Sequence, residues 1–192
     1  MRVIAGKYRS RPLRSLRGLD VRPTTDRLRE TLFNVLALAV EDSVWMDLFA
    51  GTGAVGIEAL SRGARMVYFV EASRKAVAVI RQNLRSLAIE RGYEVLEREA
   101  ERALRLLDSL SVSCDVCFLD PPYRMEPAYA EVLAFLGRSR LLKPSSIVVA
   151  EHEKHFDPGE KFGGLERYRE LRQGDAVLSF YKIGQVGNLV VG

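Results

Sequence analysis

Apolar residues recur at helical spacing over 26–40, where Leu28, Leu32, Phe33, Leu36 and Val40 share one face behind the turn Arg22-Pro23-Thr24-Thr25-Asp26. That pattern predicts an amphipathic helix opened by a capping residue. From residue 44 onward strand and helix patterns alternate. Strands are predicted at 44–49, 66–70, 93–96, 114–119 and 146–150. Helices are predicted through 57–60 and over 73–89, 100–110 and 128–137. The longest places Ala76, Val77, Ile80, Leu84 and Leu87 on one face. Apolar strands separated by helices imply a parallel sheet covered on both faces. The pattern then changes: 167–172 and 176–183 flank Gln173-Gly174-Asp175 and read as a β-hairpin. Near the start, Val3-Ile4-Ala5 reads as a short strand. The stretch 184–192 has no clear pattern and is expected to fray. No repeat or long linker divides the chain, so residues 1–192 are read as one domain.

The 192 residues, 47% hydrophobic and 28% charged, have an ordinary globular composition and suffice for a well-buried core. No run approaches the roughly 18 apolar residues that span a bilayer. Met1-Arg2-Val3-Ile4-Ala5-Gly6-Lys7 lacks the apolar stretch of a secretory signal. A soluble, cytoplasmic protein with no membrane partner is expected. Charge changes the picture more. Residues 1–22 carry Arg2, Lys7, Arg9, Arg11, Arg14, Arg17 and Arg22 against Asp20 alone, a net +6 where the whole chain is +4. An arginine-rich arm with Tyr8 among the cations suits phosphate contacts and base stacking, which points to a nucleic-acid partner.

Cys114 and Cys117 have a C-x-x-C spacing, but residues three apart on a strand point to opposite faces, and two ligands cannot close a zinc site. Both are expected to be buried core thiols. His152 and His155, beside Glu151 and Glu153, have no fixed geometry, and no metal is expected. Trp45 is read as core.

Two motifs carry chemistry. The first strand runs into Asp47-Leu48-Phe49-Ala50-Gly51-Thr52-Gly53-Ala54-Val55-Gly56, in which Gly51, Gly53 and Gly56 satisfy G-x-G-x-x-G. Glu71 closes the second strand 20 residues after Gly51. Glycines let backbone approach a ligand, and an acid at the second strand can hold ribose hydroxyls, which serves a nicotinamide dinucleotide as well as S-adenosylmethionine. Asp47 tips the balance. A carboxylate close to the loop opposes a pyrophosphate and favours an ammonium or sulfonium. The chain also has no room for a separate substrate domain. The second motif, Asp120-Pro121-Pro122-Tyr123, follows the apolar run Val116-Cys117-Phe118-Leu119. It has no role in hydride transfer. It combines a carboxylate, carbonyls on a stiff turn and a stacking ring, a set that suits a planar base with an exocyclic amine.

Asp47–Gly56, Glu71 and Asp120–Tyr123 together resemble the class I methyltransferases that modify exocyclic amines. With Arg22-Pro23-Thr24-Thr25-Asp26-Arg27-Leu28-Arg29-Glu30 and the arm Met1–Lys7, the chain resembles over 1–183 the bacterial 16S ribosomal RNA guanine-N2 methyltransferase family. The resemblance implies a Rossmann-like α/β sheet of seven strands whose last strand is antiparallel, with a basic N-terminal arm. It implies S-adenosylmethionine as methyl donor and S-adenosylhomocysteine as product. Asp47, Phe49, Ala50, Gly51 and Gly53 would line the methionine end, Glu71 would take the ribose hydroxyls, and Ala72 would lie against the adenine. Glu99-Ala100 stand where the family usually has an Asp accepting from the adenine amine. The segment 22–27, with Thr25 and Arg27, would close over the methionine carboxylate. Asp120 and the Pro121 carbonyl would accept from guanine N2, with Pro122 stiffening the turn and Tyr123 stacking on the base. Arg2, Lys7, Arg9, Arg11, Arg14 and Arg124 would contact RNA. The partner implied is the 16S rRNA of an assembled or nearly assembled small subunit, and a monomer is expected. The tetrapeptide alone also fits adenine, so a DNA or RNA adenine-N6 methyltransferase is the alternative. A cofactor-binding RNA module without turnover is opposed by the intact acid, prolines and tyrosine.

Overall fold

Strand β1 (Val44–Leu48) is buried at every position, which requires helices on both of its faces. In the computed structural model, which describes residues 1–15, 25–122 and 125–184, β1 pairs in parallel with β2 (Met66–Glu71) on one side and β4 (Cys114–Leu119) on the other. Strand β3 (Tyr93–Glu97) extends the sheet beyond β2, and β5 (Leu142–Glu153) extends it beyond β4, both in parallel. The hairpin then turns back. β8 (Ala176–Ile183) runs antiparallel to β5, and β7 (Leu165–Gln173) runs antiparallel to β8. These seven strands match the expected topology. An eighth, the two-residue β6 (Lys161–Phe162), pairs with β7 at the edge, and the sheet order is β3-β2-β1-β4-β5-β8-β7-β6. A two-residue strand has no period to read, so the expected count of seven is corrected to eight.

Helices α1 (Asp26–Val35), α2 (Ala54–Ser61) and α3 (Arg74–Ser86) cover one face, where Leu32, Phe33, Ile57, Ile80 and Leu84 meet Trp45, Phe69 and Phe118. Helices α4 (Ala100–Ser109) and α5 (Glu126–Leu136) cover the other, packing Leu104, Leu107 and Leu133 against Met46, Leu48 and Leu119. The crossovers from β1 and β4 therefore leave on opposite faces. This makes the β1/β4 crevice the switch point at which open α/β sheets bind ligands. Among the described residues no helix is long and apolar enough to cross a membrane.

Some boundaries differ from the pattern. The helix expected over 26–40 ends at Val35 and gives way to a 3₁₀ turn at Ala37–Ala39, although Leu36 and Val40 keep their buried places. Helix α5 begins at Glu126 because Pro127 sits at its start, where a missing N–H costs nothing. Strand β5 begins four residues before the predicted 146 and ends three after 150. Cys114 and Cys117 do not point to opposite faces. The β4/β5 register shifts between Cys114 and Val116, and both cysteines join the α4/α5 cluster. They are buried, free thiols, and burial pushes the Cys114 thiol up to about 12. Trp45 lies in the core, stacked on Phe33. Of the stretch expected to fray, only Gly184 is described, and its N–H donates to the Gly164 carbonyl.

The first 15 residues are packed into the fold. In place of a strand at Val3-Ile4-Ala5 there is a single bridge, Arg2 to Pro12, in a tight loop closed by Val3 N–H to Arg11 O and Ser10 N–H to Val3 O. Val3 and Leu13 are buried in the α1–α3 cluster. The buried Glu58 of α2 accepts from the N–H groups of Ile4 (2.7 Å) and Ala5 (3.0 Å) and from Arg62 Nε (2.7 Å). Ser61 O accepts from Lys7 N–H at 2.7 Å. A Cβ on Gly6 would stand 1.9 Å from that same carbonyl oxygen, so only glycine permits the approach. Arg29 of α1 donates to Arg2 O and to Asp26.

Glu58→Ala would strand the Ile4 and Ala5 amides together with Arg62. The expected loss is about 3 kcal/mol of unfolding free energy in urea titrations, with faster hydrogen exchange at residues 4 and 5. An unchanged midpoint would mean that Glu58 does not hold the arm.

Candidate functional site

The turn after β1 is built by carboxylates. Phe49 takes a left-handed φ of 63°, a strained conformation for a non-glycine residue, and Ala50 N–H then donates to Val70 O at 2.9 Å. Helix α2 opens at Gly53, whose lack of a side chain leaves the first turn uncapped. Asp47 supplies the cap from inside β1, accepting from Gly56 N–H at 2.9 Å. Gly56 is fixed by sterics: a Cβ there would lie 2.3 Å from the Phe69 ring. Asp47 is only 2% exposed, so it stands behind the loop and not at its surface. Burial pushes its carboxyl up to about 7, the Gly56 amide pulls it down, and the neighbouring Glu71 charge pushes it up again.

Glu71, at the end of β2, holds the front of the same loop. One carboxylate oxygen accepts from Gly51 N–H and the other from Ser73 N–H, each at 2.8 Å. Ser73 in turn caps α3. Arg98 N–H donates to Glu71 O at 3.1 Å, which ties the end of β3 to the end of β2. Glu99 is exposed at the N-cap position of α4 with no side-chain bond to the helix, and Ala100 is buried behind it. Gly51, Gly53, Glu71, the exposed Ala72 and Glu99 thus share the carboxyl edge of β1, β2 and β3.

Asp120 occupies the same edge one strand along. Leu48 pairs with Leu119 and Leu119 with Ala150. Asp120 therefore follows beside Phe49 on one side and Glu151 on the other, at the ~4.8 Å spacing of neighbouring strands. Tyr129 of α5 donates to Glu151 O at 2.6 Å. Pro121 is buried and Pro122 exposed. The Pro122 carbonyl closes the turn by accepting from Met125 N–H at 2.7 Å. Neither proline has an N–H, so these two residues offer the turn only carbonyl acceptors, next to the half-buried Asp120. Tyr123 and Arg124 lie outside the described residues.

The residues present fit a nucleoside cofactor with a positively charged sulfur. A Cβ on Gly51 would point into open space, with only Phe49 O within 4 Å. Glu71 keeps acceptor capacity beyond its two bonds, since a carboxylate offers about four lone-pair sites. Asp47 adds negative charge behind the loop only once it ionises near pH 7, and that charge is a poor setting for a pyrophosphate.

Thr25 caps α1 by accepting from Leu28 N–H at 3.2 Å, and Arg27 is exposed on that helix. Arg17 and Arg22–Thr24 lie outside the described residues. Arg2, Lys7, Arg9, Arg11 and Arg14 are all exposed on the docked arm. The arm reaches the glycine loop through the buried Asn83 of α3, which bonds both Arg14 and Thr52. Asn83 and Glu58 were not among the residues singled out from the sequence, yet each is a polar residue set on an apolar helix face. His152 is buried between Ser179 Oγ and Glu153 O, and burial lowers its pKa. Among the described residues no cluster of His, Cys, Asp and Glu could hold a metal ion.

A profile of the family described as conserved hypothetical protein 95 matches residues 1–182. The chain is 36% identical to the ribosomal RNA small subunit methyltransferase D of Haemophilus influenzae, over 80% of this chain and 79% of that one. It is 34% identical to the protein of the same name in Escherichia coli, over 80% and 75%. A solved structure of a hypothetical protein from Thermus thermophilus superposes with a TM-score of 0.81 at 28% identity, covering 95% of this chain and 99% of that one.

Because the folded state keeps Asp47 protonated up to about pH 7 while an unfolded aspartate ionises near 3.9, stability falls as pH rises between those values. Asp47→Asn removes that slope. Its unfolding free energy relative to the natural protein should therefore improve from pH 5 to pH 7, by up to about 1.4 kcal/mol per pH unit. A difference that stays constant with pH would show that Asp47 does not titrate in this range.

Proposed function

The chain belongs to the conserved hypothetical protein 95 family, that of the ribosomal RNA small subunit methyltransferase D proteins, and on that premise we propose that it methylates the exocyclic N2 amine of a guanine in small-subunit ribosomal RNA. The observation that carries this reading is the turn Asp120-Pro121-Pro122, an acid followed by two residues without N–H groups, one strand away from the glycine loop. An amine with two N–H groups is what such a turn recognises. A substrate carbonyl or hydroxyl lone pair would find no donor on its prolines.

Gly51 and Gly53 would receive the methionine end of S-adenosylmethionine, Glu71 its ribose hydroxyls, and Ala72 with Glu99-Ala100 its adenine. Bound there, S-adenosylmethionine supplies an electrophilic methyl group on a sulfonium and leaves as S-adenosylhomocysteine. The chain's own residues prepare the amine. Guanine N2 is a weak nucleophile because its lone pair is delocalised into the ring. Asp120 and the Pro121 carbonyl accept its two hydrogens and draw the nitrogen towards a tetrahedral shape, in which the lone pair is directed out of the ring plane. Tyr123 is assigned the stacking face that holds the base. Asp120 need not take a proton beforehand, since the methylated nitrogen is cationic and gives one up readily. The target base must be unpaired or leave its stack.

Arg2, Lys7, Arg9, Arg11 and Arg14 supply the electrostatic contact to RNA phosphates. Their docking on α2 and α3 turns the arm into a fixed cationic surface beside the cofactor loop.

Asp120→Ala should lower methyl transfer to small ribosomal subunits by about three orders of magnitude or more, while S-adenosylhomocysteine affinity by calorimetry stays within about two-fold. Near-normal turnover in this variant would overturn the assignment of Asp120.

A further inference from the structure

Asn83 sits on α3 between Ile80 and Leu84 with no solvent exposure. Its side-chain oxygen accepts from Arg14 N–H at 2.8 Å. Its amide nitrogen donates to Arg14 O at 3.2 Å and to Thr52 O at 3.0 Å. An asparagine amide has two donor hydrogens and an acceptor oxygen, so both hydrogens and the oxygen are engaged. Two of the bonds hold the backbone of the basic arm, and the third holds the residue between Gly51 and Gly53. Both of those glycines have positive φ, 56° and 77°, so the Thr52 carbonyl is fixed by this bond in a segment of otherwise permissive backbone. The same two elements meet again where Thr52 Oγ1 faces Met1 Sδ, and Met1 O accepts from Leu13 N–H.

We propose that Asn83 is a positioning residue that couples the RNA-binding arm to the cofactor loop, so that RNA and the methyl donor raise each other's affinity. The inference rests on the function proposed above. The arm cannot shift at Arg14 without either breaking its bonds to the buried Asn83 amide or moving Thr52. The Asn83 amide itself has no solvent exposure, so in this arrangement water does not stand in for its partners. RNA that immobilises Arg9, Arg11 and Arg14 therefore also immobilises the loop that receives the cofactor. A ligand that finds the loop already ordered loses less entropy on binding. By linkage the effect is equal in both directions.

The test is the affinity of S-adenosylhomocysteine measured by calorimetry with and without saturating purified small ribosomal subunits. In the natural protein the subunits should tighten it by about five-fold or more, and in Asn83→Ala the ratio should fall to within about two-fold of unity. A merely structural role would weaken both ligands and leave the ratio intact, and that result overturns the proposal. If Asn83→Ala does not fold, hydrogen exchange in the natural protein decides. Subunit binding should slow exchange of the Gly51 and Gly53 amides, and unchanged rates would refute the coupling. Failure of the natural protein to bind either ligand would instead overturn the proposed function, and the coupling with it. Binding of both with a ratio of one would overturn the coupling alone.

Discussion

Two carboxylates hold the glycine loop, and the arrangement of the site follows from them. Asp47 reaches out of β1 to cap α2 through Gly56, and Glu71 reaches from β2 to hold Gly51 and Ser73. Without these bonds the first turn of α2 would lack a side-chain cap, and a loop containing left-handed residues would have little to define it. Once α2 and α3 are placed, so is the arm, because Glu58 and Ser61 on α2 and Asn83 on α3 receive its backbone. The cationic surface and the cofactor loop are thus two consequences of the same anchoring.

The distribution of charge divides the labour. Acids and carbonyls collect at the carboxyl edge of the sheet, with Asp47 behind the loop, Glu71 before it and Asp120 one strand along. That edge favours positive charge and N–H donors. The excess of positive charge lies instead on the arm, where exposed arginines can meet phosphate. The described part of the arm lies on α2 and α3, whose side chains receive its backbone.

The alternation of apolar runs was enough to read the α/β sheet and its hairpin ending, whereas the crevice between β1 and β4 follows from the strand order. The glycine spacing and the acid after Leu119 pointed to the candidate site. What escaped depended on contacts distant in sequence. The docking of the arm was not legible because it uses backbone amides, which leave no side-chain pattern. Glu58 and Asn83 lay on the apolar faces of their helices, and a buried polar residue there was a usable signal that something must satisfy it. Asp47 was legible as an acid near the loop, but its place behind the loop required the Gly56 contact. The shared face of Cys114 and Cys117 needed the register shift beside Val116, which no period reveals. Strand β6 was too short to carry a pattern.

The identity of the accepting amine decides the function. Small ribosomal subunits lacking this modification, incubated with the protein and S-adenosylmethionine labelled on its methyl group, can be digested to nucleosides and separated. Label is expected in N2-methylguanosine from the small-subunit RNA. Label in N6-methyladenosine, or in DNA offered in the same reaction, would contradict the proposed function.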